Sequence, residues 1–166
     1  MPTCISGSKC PSARSPTCRC SRRINDGASL IEFSWRSRVY WEDTDGGGVV
    51  YYANYLKFME RARTEWLRAM GHSQQELAGQ FGFVFAVVEV QVNYRRPARL
   101  DDEISISCVP VPEGRASIRF RQVITRSDGA GGDTTLAEGE VRVACVDAKT
   151  FRPRPLPDFV KVSHGK

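Results

Sequence analysis

No stretch of the 166-residue sequence approaches the ~18 consecutive apolar residues that a membrane-spanning helix requires. Acidic residues are missing altogether from positions 1–24, which hold Lys9, Arg14, Arg19, Arg22 and Arg23. Those five cations equal the whole net charge of +5, so positions 25–166, with 19 basic and 19 acidic side chains, are neutral. A neutral body lacks the basic footprint of a nucleic-acid binder. Paired C-x-x-C spacing is absent too: Cys4, Cys10, Cys18 and Cys20 lie in the basic segment and only Cys108 and Cys145 lie beyond it. That spacing offers no zinc site, and no secretory apolar segment precedes it, so free thiols in a reducing cytoplasm are expected. The glycine run at 46–48 is not followed by Lys-Ser or Lys-Thr, which excludes a Walker phosphate loop.

What is present falls into a tail and a single domain, as the length predicts. Residues 1–28 are rich in Ser, Pro, Cys and Arg and poor in large aliphatics, a composition that cannot offset the entropy of ordering. They are expected to be disordered, residues 29–160 to fold, and 161–166 to fray. "LIEFSWRSRVYW" sets Ile31, Phe33 and Trp35 against Glu32, Ser34 and Arg36, the alternation of a half-buried strand. "NYLKFMERARTEWLRAMG" places Tyr55, Met59, Ala62, Trp66 and Met70 at helical spacing, widened by Leu56 and Leu67. Asn54 or a neighbour is expected to cap this helix, and Gly71 suits its C-terminal exit. A short second helix should open at Ser73, with Glu76 completing a capping box.

Four alternating runs follow. "VVEVQVNYR" opposes Val88, Val90, Val92 and Tyr94 to Glu89, Gln91, Asn93 and Arg95, and Pro97 should end it. "EISISCV", "ASIRFRQVIT" and "TTLAEGEVRVACVD" complete the set, with "SDGAGGD" as a turn and "FRPRPLPDF" as an extended terminal segment. One long helix cannot hide its own apolar stripe, but a curled antiparallel sheet can cover it. The expected class is therefore α+β, a sheet wrapped round one central helix.

Chemistry concentrates in "WEDTDGGGVVYYANYLKFMERARTEWL", positions 41–67, where acids and glycines stand directly before the helix. The first amides of a helix are unpaired and carry the positive end of its dipole. Glycines upstream let a ligand approach them, and such amides can hold a carbonyl oxygen as it gains negative charge. A nearby carboxylate can activate water or attack the carbonyl itself. Acyl transfer fits these parts without a metal or redox cofactor. Asp and Gly are also ordinary turn formers, and acids before a helix favour its dipole for structural reasons alone.

"VYWEDTDGGGVVYYANYLKFMERARTEWLR", "NYRRPARLDDEI" and "EGEVRVACVDAKTFRPRPLP" together resemble the hotdog-fold acyl-CoA thioesterases of the 4-hydroxybenzoyl-CoA thioesterase family. The similarity runs from about Glu32 to Pro157 and is strongest toward the bacterial Tol–Pal-associated acyl-CoA thioesterase branch. The resemblance implies that Asp45, second acid of "DTD", is the catalytic carboxylate, and that the Tyr52 backbone amide polarises the thioester carbonyl. The related branch usually carries His at that position, as this sequence does not. Gly48, Val49, Val50 and Tyr51 would line the acyl slot. Glu60 would hydrogen-bond near it or pair with Arg61 or Arg63 on the surface. Arg95, Arg96 and Arg99 would meet the phosphates of coenzyme A. The resemblance also implies dimers assembled into homotetramers, acyl-CoA as substrate, and a cytoplasmic enzyme, peripheral to the inner membrane at most. Glu42 and Asp43 are expected to serve the turn, and His72 the helix C-terminus. A dehydratase of the same fold would need a histidine near the motif, and neither His72 nor His164 lies there. The alternative is a non-catalytic acyl-CoA-binding or protein-interaction module.

Overall fold

The computed structural model describes residues 33–129 and 131–162; the expected disordered tail, Ile31 and His164 lie outside the described residues. In chain order the elements are β1 (Phe33–Arg38), a 3-10 turn (Trp41–Asp43), α1 (Asn54–Ala69), α2 (Gln74–Gly79), β2 (Phe83–Tyr94), β3 (Glu103–Glu113), β4 (Ser117–Ser127), β5 (Asp133–Asp147) and α3 (Asp158–Val162). The strands form one antiparallel sheet in the order β1-β3-β4-β5-β2. The sheet carries α1 on its inner face. Near the helix start, Tyr55, Phe58, Met59 and Ala62 pack with Ile104, Ile106, Ile124 and Leu136. Farther along, Trp66 and Leu67 join Cys108, Ile118, Phe120, Val141 and Cys145. This is the expected α+β hotdog architecture, and both body cysteines are buried free thiols.

The helix departs from expectation at two points. Leu56 is 37% exposed, whereas Phe58 is 1% exposed and takes its place in the core. The buried face runs Tyr55, Phe58, Met59, Ala62, Trp66, the i, i+3, i+4, i+7 ladder, and Leu56 falls to one side of it. Asn54 does not cap: the N-cap is Ala53, with no side-chain cap bond. At the far end Gly71 adopts φ +87°, donating to Arg68 O at 2.9 Å while His72 N–H donates to Leu67 O at 3.1 Å. This is a Schellman exit. No atom crowds a Cβ at Gly71, so Gly71→Ala tests backbone strain alone. The change is expected to lower the unfolding free energy by about 1–2 kcal/mol in a denaturant titration.

The alternation read into the strands holds for β3, β4 and β5 but not for β2. That strand starts earlier, at Phe83, and its side chains from Val87 to Gln91 are exposed on both faces. It sits at the sheet edge, and the ladder with β5 slips between Val87 and Glu89, so Val88 is an extra residue in a bulge. In β3, Pro110 and Pro112 lie beyond Cys108, the last residue paired with β1 among the described residues. Gly139 in β5 lies under the helix: a Cβ there would stand 2.7 Å from Met59 Sδ and Cε. The terminal segment is extended only to Pro157. Asp158 and Phe159, expected to be extended, begin α3, where Asp158 suits a first helical turn. α3 runs to Val162, past the expected boundary at 160, and residues 163–166 lie outside the described residues.

Candidate active site

The acids and glycines before α1 form a hairpin. Thr44 bridges Val50, and Asp45 N–H donates to Val49 O at 2.9 Å. Gly48 N–H returns to Asp45 O at 2.9 Å, and Gly48 holds φ +71°. Three glycines with the last one left-handed make a three-residue hairpin loop, which accounts for that residue choice. The Asp45 carboxylate is part of the loop, its Oδ1 accepting the Gly47 amide at 2.8 Å.

Asp43 anchors the hairpin from below. It is 3% exposed, and its Oδ2 accepts the Tyr40 amide at 2.9 Å. Its carbonyl accepts both the Tyr51 amide and Asn54 Nδ2, each at 2.9 Å. Asn54 thus ties hairpin to helix rather than capping the helix, a role no local pattern announces. Val50 N–H donates to Ala98 O at 2.9 Å, stitching the hairpin to the segment after β2.

The return limb runs straight into α1. Asn54 N–H turns back to Tyr51 O at 2.8 Å, while the amides of Tyr52 and Ala53 meet no acceptor among the described residues. These two donors stand at the positive end of a 16-residue helix. The Tyr52 carbonyl is taken by the Tyr94 hydroxyl at 2.9 Å. Tyr51 and Tyr52 place their ring centroids 4.5 Å apart. The Tyr51 phenol is raised above the ordinary tyrosine range, first by its hydrogen bond with Tyr52 and least by the Asp45 charge.

The remaining expected residues are placed as follows. Val50 is packed in the core at 4% exposure, leaving half-buried Val49 and exposed Tyr51 to meet a ligand. Glu60 accepts Thr64 Oγ1 at 2.8 Å and forms no ion pair with Arg61 or Arg63. It borders an open groove of about 480 Å³, between α1 and β2, lined by Leu56, Lys57, Arg63, Val87 and Val90. Neither this groove nor its neighbour, which reaches Trp35 and Gln74, includes Asp45 or Tyr52, and both of those residues are exposed on the single chain. Arg95 is paired with Glu138 at 2.9 Å. The guanidinium groups of Arg96 and Arg99 have no partner among the described residues. His72 lies with its ring 4.1 Å from that of Phe159, a packing role. Among the described residues no cluster of three or more metal-ligating side chains occurs, and no helix is long and apolar enough to cross a membrane.

A five-stranded antiparallel sheet carrying one long helix on its inner face is the arrangement of a hotdog protein. Residues 39–163 match the family model of the thioesterase-like superfamily, and the chain belongs to that superfamily. It is 46% identical over 128 residues to the acyl-CoA thioester hydrolase YbgC of Escherichia coli, spanning 77% of this chain and 92% of the relative. The acyl-CoA thioesterase YbgC of Haemophilus influenzae is 40% identical over 131 residues, 79% of this chain and 93% of its own length. A probable thioesterase from Bartonella henselae superposes with a TM-score of 0.69 at 32% identity, covering 76% of this chain and 99% of that one. The 4-hydroxybenzoyl-CoA thioesterase from Pseudomonas shares the fold at 19% identity, with a TM-score of 0.71 over 79% of this chain and 98% of its own.

Proposed function

We propose that this chain hydrolyses acyl-CoA thioesters to the free acid and coenzyme A, with the Tyr52 amide as oxyanion donor and Asp45 as the catalytic carboxylate. The observation that carries the reading is the pair of acceptor-free amides at the start of α1, reached by a hairpin that holds a carboxylate. The thioester oxygen accepts the Tyr52 N–H, and the bond strengthens as the carbonyl carbon becomes tetrahedral. Asp45 either removes a proton from the water that attacks the carbon, the thiolate of coenzyme A then leaving, or attacks the carbon itself. Direct attack expels the thiolate and gives an anhydride, which water hydrolyses to the free acid and the restored carboxylate. In single-turnover hydrolysis in ¹⁸O-water, label in the Asp45 carboxylate would establish direct attack, because water that attacks the anhydride at the Asp45 carbon leaves its oxygen there. Neither route needs a resident cofactor.

Gly48, Val49 and Tyr51 would border the acyl group, with Glu60 farther along α1. Arg96 and Arg99, the unpaired members of the arginine group, would meet the phosphates, with Arg95 committed to Glu138. A second copy of the chain would wall the site. The free edge of β2 supports this: it exposes Val87, Val88, Val90 and Tyr94, and Tyr94 touches the site itself. Higher assembly into a tetramer follows the same family resemblance. The two buried free thiols, Cys108 and Cys145, support a reducing, cytoplasmic setting.

Thiol release measured across a panel of acyl-CoA chain lengths tests the function. Saturable release with at least one chain length supports hydrolysis. Saturable binding without free thiol would instead establish an acyl-CoA-binding module.

A further inference from the structure

We propose that Tyr94 is a positioning residue for the hydrolysis proposed above, its hydroxyl holding the Tyr52 backbone in the pose that aims the oxyanion donor. Tyr52 stands one residue before the N-cap Ala53, whose carbonyl already takes the Leu56 N–H at 3.1 Å, so the helix offers the Tyr52 carbonyl no amide. The Tyr52 carbonyl is left out of the main-chain ladder, and its partner is the Tyr94 hydroxyl at 2.9 Å. The peptide unit before it is held separately, through Asn54 N–H to Tyr51 O at 2.8 Å. Tyr52 is therefore clamped on both sides of its α-carbon, and the direction of its N–H is set by the two clamps together.

Tyr94 is well placed to be the fixed end. It is the last residue of β2, paired with Ala137, and the next two amides both donate to Leu136 O. Its ring meets the buried Tyr55 edge-on at 5.3 Å, and the Tyr55 hydroxyl accepts the Ala98 amide at 2.9 Å. Burial, and to a smaller degree the neighbouring Tyr52, raises the Tyr94 phenol above the ordinary tyrosine range, so it stays protonated and donates at neutral pH. A donor on a peptide carbonyl also polarises the N–H of the same unit. Tyr94 thus strengthens the free Ala53 amide, while the Asn54 bond strengthens that of Tyr52.

Misaiming a donor weakens the bond that forms in the transition state more than ground-state binding. In the full-length protein, Tyr94→Phe keeps the ring against Tyr55 and removes only the hydroxyl. The expected result is a kcat lower by about tenfold, with KM changed by less than about twofold. The Tyr52 carbonyl-carbon resonance should also shift upfield, a readout that needs no turnover. A kcat equal to the parent's, a loss confined to KM, or a fall matching only a smaller folded fraction would each overturn the assignment. If Asp45→Asn is inactive while Tyr94→Phe is fully active, this inference alone fails; if the parent releases no thiol from any acyl-CoA, the functional reading fails with it.

Discussion

Asp45→Asn is expected to lower acyl-CoA hydrolysis by about 10²–10⁴-fold while leaving the folding midpoint unchanged, because the two duties of this side chain separate cleanly. Its structural duty is one hydrogen bond: Oδ1 accepts the Gly47 amide at 2.8 Å inside the glycine loop. An asparagine side-chain oxygen can accept the same N–H, and Asn is as good a turn former as Asp. The chemical duty proposed for it needs the negative charge, which the amide lacks. Asp45→Ala would confuse the two by removing the loop bond as well. Steady-state thiol release, with thermal unfolding as the control, makes the comparison. An Asn variant working at the parental rate would remove Asp45 from the mechanism, whatever the fold.

Gln122→Leu is expected to cost about 2–4 kcal/mol of stability, which for a chain of this size lowers the unfolding midpoint by roughly 6–12 °C. Gln122 is 1% exposed on the inner face of β4. Its Oε1 accepts Arg63 Nη1 at 2.8 Å and its Nε2 donates to Met59 O at 3.0 Å, so one amide joins sheet to helix twice. Burial draws the Arg63 guanidinium below its usual pKa, so this cation already bears a desolvation cost. Leucine fills a similar volume but leaves the guanidinium without its acceptor, the costly half of a broken buried pair. Adding Arg63→Met should recover much of the loss, and the double-mutant cycle measures that coupling. A Gln122→Leu protein as stable as the parent would mean that shape alone holds β4 to α1.

What could be read from the chain and what could not divide along sequence distance. The turn, its glycines, the free amides and the start of α1 lie within positions 43–54, so their local arrangement was legible as a contiguous word. The helix exit at Gly71 and the Ser73 cap, which accepts the Glu76 amide at 3.2 Å, were legible for the same reason. Tyr94 and Tyr52 are 42 positions apart, and Arg63 and Gln122 are 59 apart. Those partnerships exist only once the sheet closes, and each residue alone reads as an ordinary strand or helix member. β2 misled for another reason. Its valines alternate as if one face were buried, but the bulge at Val88 shifts the phase and the sheet-edge position leaves both faces open. Asn54 misled because its residue type suits a cap, whereas the folded hairpin offered its side chain a buried carbonyl instead.

The bare α-carbon at position 139 leaves the room that the end of the Met59 side chain occupies. Met59 rests directly over it, with its side chain 0% exposed and unable to swing away into solvent. A side chain on that spot would displace the flexible end of Met59, which must then find room elsewhere in the core. Positions 139 and 59 therefore fill one volume between them: a bulkier residue on the strand calls for a shorter one on the helix.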